Sequence, residues 1–519
     1  MVTGISYKNK ILVILIIFLI MISSGCITES NKRDNNEYKK IITYATYDIN
    51  SIFPYSINVY NKNVLLSNIY NGLVEFDEIF QIIPSLAISW TNLDDYTWRF
   101  NLRENVKFHN GEVFNSEDVK YSLYSSIYNT FKSFLKQVII IDDYTIDVIT
   151  YEPFPGLLQR LAYTFIVFPS NYFNENEQIK PIGTGAYRFV EYNDNNHTKL
   201  EIFNEYWGEK PEIDIVIFKL IEDQEKRINE LITGKINITD YNIDENIDIL
   251  KNNSKINILK FPPLSTYLIG FDVRENNSYA FPDGKNPTAD LRVRKAFYHA
   301  IDIEPLISGP FKGYAKPASQ LLTPYIFGHN PDIKRLSYNI SLAKKLLNES
   351  GYKNGFEIEM DCITIGYEYN KINCELIKKQ LSKVGINIKI NNLSIEEFNK
   401  KVIYDKNTSL WLVGWGTVSL DGGFVYDLFI RTNGENLIGY YNSGHYSNPK
   451  VDEIGIESSS EMNPIFRTKL LQEGFKIAHT EDIFTIPLFS QELLILTTNE
   501  LVMKPRADLR FIVQDIKLI

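Results

Sequence analysis

The chain has 519 residues, too many for one core, and at roughly 150 residues per domain it implies about three domains or lobes. Apolar residues at 44% and charged residues at 23% exclude wholesale disorder. Lys+Arg 54 against Asp+Glu 64 leaves a net charge of −10, which excludes a sequence-independent grip on nucleic-acid phosphates. Aromatics reach 13%, with Tyr 33 and Phe 31. Tyrosine suits wet clefts, because a rigid apolar body carries a polar tip. A coding bias towards Tyr, Asn, Ile and Lys accounts for the same excess.

The first ten residues are polar, with Lys8 and Lys10, and residues 11–22 contain no polar side chain. Twelve apolar residues span about 18 Å as a helix, short of the roughly 30 Å of a bilayer core, so they read as the core of a secretory signal. Ser23, Ser24 and Gly25 follow, then Cys26. This arrangement resembles a lipoprotein lipobox, in which the cysteine takes a lipid and becomes the mature N-terminus. It departs from that pattern at Ser23, where a large apolar residue is usual. The other reading is a plain signal peptide or an anchor helix with Cys26 incidental. Residues 27–40 are polar and aperiodic, as expected of a tether.

Downstream, IITYAT (41–46) reads as a strand, and VLLSNIYNGLVEF (64–76) as a helix running into a strand. YTWRFNL (96–102) and YTIDVIT (144–150) alternate with period two. SEDVKYSLYSSI (116–127) reads as a helix with Ser116 as N-cap and acids in its first turn. Further strands are KLEIFN, IDIVIFKLI, EIEMDCITI and INIKINNL. Further helices are DQEKRINELITGK, DLRVRKAFYHAI, SLAKKLLNESG and YNKINCELIKKQLSKVG. Strands interspersed with helices throughout give mixed α/β lobes. FPPLSTY (261–267), stiffened by two prolines, is the expected loop between lobes. Cys362 and Cys374 fall on a strand and the helix after it. They are expected as two buried free thiols, since a bridge requires both to face one interface.

Eight strings stand in order: NIYNGLVEFDE (68–78), IPSLAISW (83–90), YTWRFNLRENVKFHNGEVFNSEDVKYSL (96–123), PIGTGAYRF (181–189), NEYWGEKPEID (204–214), LRVRKAFYHAIDIEPLI (291–307), YNISLAKKLLNESGY (338–352) and YSNPKVDEI (446–454). Together they resemble the family-5 extracellular solute-binding proteins of ABC importers, the peptide and nickel group, from about residue 41 to the C-terminus. The resemblance implies a periplasmic-binding-protein-like α/β fold of the cluster C type, with two lobes of mixed sheets joined by a hinge. It places a signal with lipobox at 1–26, a tether at 27–40, lobe I at 41–75 and 181–262, an extra subdomain of lobe I at 76–180, lobe II at 263–481, and a return to lobe I at 482–519.

SLWLVGWGTVSLDGGFVYDLF (409–429) is the stretch expected to touch solute, since ligands of open α/β sheets bind beyond strand C-termini. Trp415 offers a flat apolar surface, Gly416 permits close backbone approach, and Asp421 offers a carboxylate or a turn before two glycines. In peptide-binding members an aspartate three residues after the tryptophan pairs with the peptide amine. That position here is Val418, and the next acid is Asp421. From the first lobe the resemblance brings Thr46 and Tyr47 at the end of the opening strand, and Tyr70 with Asn71, to the cleft; core packing is the competing reading of Tyr70. Tyr267, on the inter-lobe loop, is a further candidate. His445, on a Gly/Asn/Ser loop, is a weak metal candidate, because the six histidines show no paired spacing on one element.

No HExxH, GxSxG, Walker or paired CxxC motif is present, and no cofactor is expected. The resemblance therefore implies a receptor, not an enzyme. It would be a monomer, lipid-anchored on the outer face of the cytoplasmic membrane, that captures a peptide or peptide-like solute and hands it to an ABC permease, without binding nucleic acid. A nickel chelate and an oligosaccharide are the alternative solutes, and a secreted hydrolase is the alternative of another class.

Overall fold

The opening strand Ile41–Thr46, rich in β-branched and aromatic residues, runs inside a seven-stranded mixed sheet in the computed structural model. It pairs in parallel with Ile215–Leu220 on one side and with Ile238–Tyr241 on the other. The structure describes residues 39–47, 63–125, 134–169, 181–193, 197–275, 285–416, 420–506, 508 and 510–519. Cys26, most of the expected tether and Val418 lie outside the described residues. No helix among the described residues is long and apolar enough to cross a membrane.

A six-stranded mixed sheet follows, ordered Ala315–Pro317, Thr485–Gln491, Ser265–Phe271, Leu410–Gly416, Phe356–Ile363 and Ile386–Leu393. A four-stranded antiparallel sheet occupies Ala87–Asp94, Thr97–Leu102, Thr145–Thr150 and Leu135–Asp142, within the stretch expected as an extra subdomain. The chain crosses from the first sheet to the second between Ile256–Phe261 and Ser265–Phe271. It returns at Glu492, between Thr485–Gln491 and Leu493–Thr498. One buried apolar cluster includes residues of both sheets, from Ala45 and Leu231 to Ile269, Phe271 and Leu488.

The local patterns account for these elements. Asp223, Asp290, Asn339, Asn448 and Asn463 each accept a backbone N–H at the start of a helix, which satisfies donors that have no intrahelical partner. Four expectations need correction. The helix Ser116–Ser125 is capped by Asn115, not Ser116. Asn115 accepts from Glu117 N at 2.8 Å, and Asp118 accepts from Asn115 N at 2.9 Å, a reciprocal box that frees the Ser116 hydroxyl to donate to the Asp142 carbonyl. Tyr267 lies within a strand, not a loop, because only residues 262–264 are needed to cross. The return to the first sheet falls at Glu492, not near residue 482. Thr485–Gln491 is buried at six of seven positions and pairs on both edges inside the second sheet before the chain crosses. Finally, Cys362 and Cys374 are joined as a disulfide, with Cα atoms 6.9 Å apart. Cys362 shares the inward face of its strand with Ile358 and Met360, and Cys374 shares its helix face with Ile377 and Leu381; both faces belong to one core.

Candidate functional site

The candidate residues fall into three groups. Thr46 and Tyr47 end the opening strand, beside Asp240 on Ile238–Tyr241. Asp240 is 9% exposed, and neither carboxylate oxygen completes a hydrogen bond. Its nearest cation is Arg227, 3.9 Å from Oδ2. Two of the three Arg227 nitrogens are engaged elsewhere: Nη1 donates to the Ile221 and Glu222 carbonyls and Nε to Thr239 Oγ1, while Nη2 faces Asp240, and the guanidinium lies 5.8 Å from the Tyr47 ring centroid. Burial pushes the Asp240 carboxyl above its ordinary range, while Arg227 and the Thr46 hydroxyl pull the other way. Tyr47 itself is about half exposed.

Tyr70 and Asn71 form a second group, away from that strand end. Tyr70 is buried, with its ring 5.8 Å from Phe165, and packs so closely under Gly183 that a Cβ there would strike the ring. Asn71 Nδ2 donates to Glu75 at 3.0 Å, and its Oδ1 accepts from Thr184 Oγ1 at 3.0 Å and Trp207 Nε1 at 3.3 Å. Both of its side-chain amide atoms are engaged, tying the strand Val74–Phe76, the turn at 182–185 and Trp207 together, the arrangement expected of a packing residue.

Trp415, Gly416 and Asp421 form the third. Trp415 ends the strand Leu410–Gly416 half-buried, its ring edge-on to Phe429 at 4.3 Å. Gly416 lies under the first crossing, where a Cβ would come within 2.9 Å of the Leu264 carbonyl oxygen. Asp421 is buried and accepts from Gly423 N at 2.7 Å, capping the helix Gly422–Phe429. Its two oxygens also take a forked pair of bonds from Arg467 at 2.8 and 2.9 Å. Gly156 and Arg160, from the stretch expected as the extra subdomain, close over this pair, and Arg160 lies 5.5 Å from the Phe424 ring centroid. Burial depresses the Arg160 pKa, with Asp421 opposing the shift.

Tyr267 does not join Trp415. Thr266 is paired with Trp415 and Tyr267 with Gly414, so their side chains emerge on opposite faces of the second sheet. Tyr267 stacks on Phe489 at 4.8 Å, and burial pushes its hydroxyl up to about 12, with Tyr367 and Tyr369 adding to the shift. Tyr241, at the end of the first-sheet strand Ile238–Tyr241, and Tyr369, on the helix Glu368–Ser382, pack in one apolar cluster with Tyr267 of the second sheet. His445 is half-buried, with Nδ1 3.4 Å from Asn433 Nδ2, and burial lowers its pKa. Among the described residues no group of three His, Cys, Asp or Glu converges as a metal site.

Sequence reasoning missed Asp240, Arg227, Tyr367, Tyr369 and Arg467. Only Asp240 carried a local signal, as an acid inside the strand-like run INITDY.

The model of the bacterial extracellular solute-binding proteins, family 5 Middle, matches residues 81–436. The chain is 26% identical over 385 residues to the dipeptide-binding protein of Escherichia coli (strain K12), covering 67% of this chain and 70% of that protein. It is 27% identical over 425 residues to the glutathione-binding protein GsiB of Pectobacterium atrosepticum, covering 78% and 79%. Among solved structures, HbpA2 from Haemophilus parasuis superposes with a TM-score of 0.79 at 23% identity, over 92% of this chain and 100% of that one.

Proposed function

Because the chain belongs to family 5 of the bacterial extracellular solute-binding proteins, which are substrate receptors and not enzymes, we propose that it captures a peptide or peptide-like solute between its two large sheets and delivers it to an ABC permease. The observation that carries this reading is the double crossing at residues 262–264 and at Glu492. Two bodies joined by two short strands can rotate about them, and their facing strand ends enclose what lies between. Bound solute supplies the differential affinity that shifts the open–closed equilibrium.

On this reading lobe I comprises residues 41–75, 181–262 and 493–519, the extra subdomain 76–180, and lobe II 263–491. Family-5 proteins act outside the cytoplasm; a lipid on Cys26 would hold this one at the outer membrane face. Relatives that bind a dipeptide and glutathione support a peptide. The loop after Trp415 supplies no spare carboxylate for a peptide amine, since Asp421 is paired with Arg467. Tyr47, Tyr367 and Trp415 supply stacking surface, and Asp240, whose ion pair to Arg227 is long at 3.9 Å, is the acid offered to a cationic group of the solute.

The test is mass spectrometry of solute that co-purifies with the chain, then calorimetry with the peptides identified. Replacing Trp415 with Ala should weaken binding by about 1–3 kcal/mol. Peptides that leave both the heat signal and the melting temperature unchanged would refute the reading, and a co-purifying metal chelate or sugar would replace the solute class.

A further inference from the structure

Among the described residues every arginine except one donates a hydrogen bond from its guanidinium. The exception is Arg160, on the helix Leu157–Ala162, which also enters no ion pair there. It is not a free surface side chain. Arg160 is half-buried, its Cζ lies 5.5 Å from the Phe424 ring centroid, and burial lowers its pKa. A guanidinium is desolvated here without the acceptors that normally offset the loss, the condition in which an arriving anion gains most.

Phe424 stands on the helix Gly422–Phe429, which follows the strand Leu410–Gly416, and solutes of open α/β sheets meet the C-terminal ends of strands. The ring is 36% exposed, so its contact with Arg160 borders open space. Gly156, one turn before Arg160, lies so close to Asp421 that a Cβ on it would come within 2.8 Å of Oδ2. Asp421 is the one acid whose charge is felt at Arg160, yet that charge is already spent. Its oxygens take both terminal nitrogens of Arg467, whose Nε donates to the Ser458 carbonyl. Asp427, further along the same helix, is paired with Arg431 at 3.1 Å. Two arginines beside one aspartate leave a surplus positive charge, in a chain whose net charge is −10.

We propose that Arg160 takes a carboxylate of the transported solute, and so selects solutes that carry one. A planar guanidinium fork matches a carboxylate with two parallel bonds, and this fork has every donor to spare. An uncharged oligosaccharide gives it nothing to neutralise. The inference rests on the proposed function, which it narrows to peptides with a free C-terminus. It also gives the two ends of such a solute separate seats, since Asp240 is the acid offered to the amine.

The experiment is calorimetry of the full chain with alanine peptides of two to five residues, each as the free acid and as its C-terminal amide. The expected result is that the acid of the best length binds at least tenfold more tightly than its amide. In Arg160→Gln that preference should collapse to under threefold. A merely structural arginine would weaken acid and amide alike and leave their ratio unchanged. Arg160→Met keeps the aliphatic stem against Phe424 without the charge, so it makes the same comparison if Arg160→Gln folds poorly. Equal binding of acid and amide by the parent, or a ratio that survives both substitutions, overturns the role of Arg160 and leaves the proposed function standing. No heat with either form at any length removes the proposed function and this role together.

Discussion

Asp421, which caps the helix Gly422–Phe429, and Asp240, on a strand of the first sheet, are both buried aspartates, yet their surroundings differ in kind. Asp421 caps a helix and takes a forked pair of bonds from an arginine. Asp240 has an arginine 3.9 Å away, two of whose three nitrogens are held by backbone carbonyls and a threonine while the third faces the carboxylate. Proximity to Trp415 and two glycines makes Asp421 conspicuous in the sequence, but those glycines belong to the helix it caps. Of the two, Asp240 is answered the more weakly, by one long ion pair to Arg227 and by the Thr46 hydroxyl.

The sharpest way to break this contrast is Arg467→Met. Removing the arginine leaves Asp421 buried and uncompensated, which should destabilise the chain by about 3–5 kcal/mol, read as a large fall in melting temperature. A loss under about 1 kcal/mol would mean that Asp421 is solvated by other means and remains free to meet a solute amine.

The second sheet is also stapled to the helix packed on it, by Cys362–Cys374, whereas the first sheet has no cross-link among the described residues. A bridge that closes a loop of this length stabilises by about 3 kcal/mol in the chain-entropy account. Cys362→Ser and dithiothreitol treatment should lower the melting temperature by similar amounts, with no further effect of dithiothreitol on the variant. If reduction leaves the unfolding midpoint unchanged, the second lobe owes nothing to the staple and the difference between lobes narrows to their ion pairs.

How much of this was legible in the sequence follows the range of the interactions. The period-two run 145–150 and the strand-like run 386–393 announced their strands, and the helices after Asp223 and Asp290 were legible as strings, because these patterns are made by neighbours. The disulfide required knowing that a strand and a helix share one core, and Asp421 finds its arginine 46 residues away. Tyr267 and Trp415 were grouped because each looked cleft-like. The pairing of Thr266 with Trp415 separates them by a single residue of register, which no composition reveals. The return crossing was placed too early because an apolar run reads the same whichever sheet it enters.

Asp240→Asn gives the smallest effect and bears most directly on the contrast. Burial holds the Asp240 carboxyl above its ordinary range, so its contribution to stability is intact below the unfolded-state carboxylate pKa and is lost as pH rises through the raised folded value. Asparagine has nearly the same shape and no charge to desolvate. The variant should therefore match the parent near pH 4 and gain on it towards neutrality, by on the order of 1 kcal/mol, the scale of an unmet buried group. Saturating peptide should reverse that gain if a cationic group of the solute answers the charge, because the parent alone then recovers the interaction. A stability difference that is flat from pH 4 to 8, with and without peptide, would show that the Asp240 charge is already answered within the fold, and that the two aspartates are alike after all.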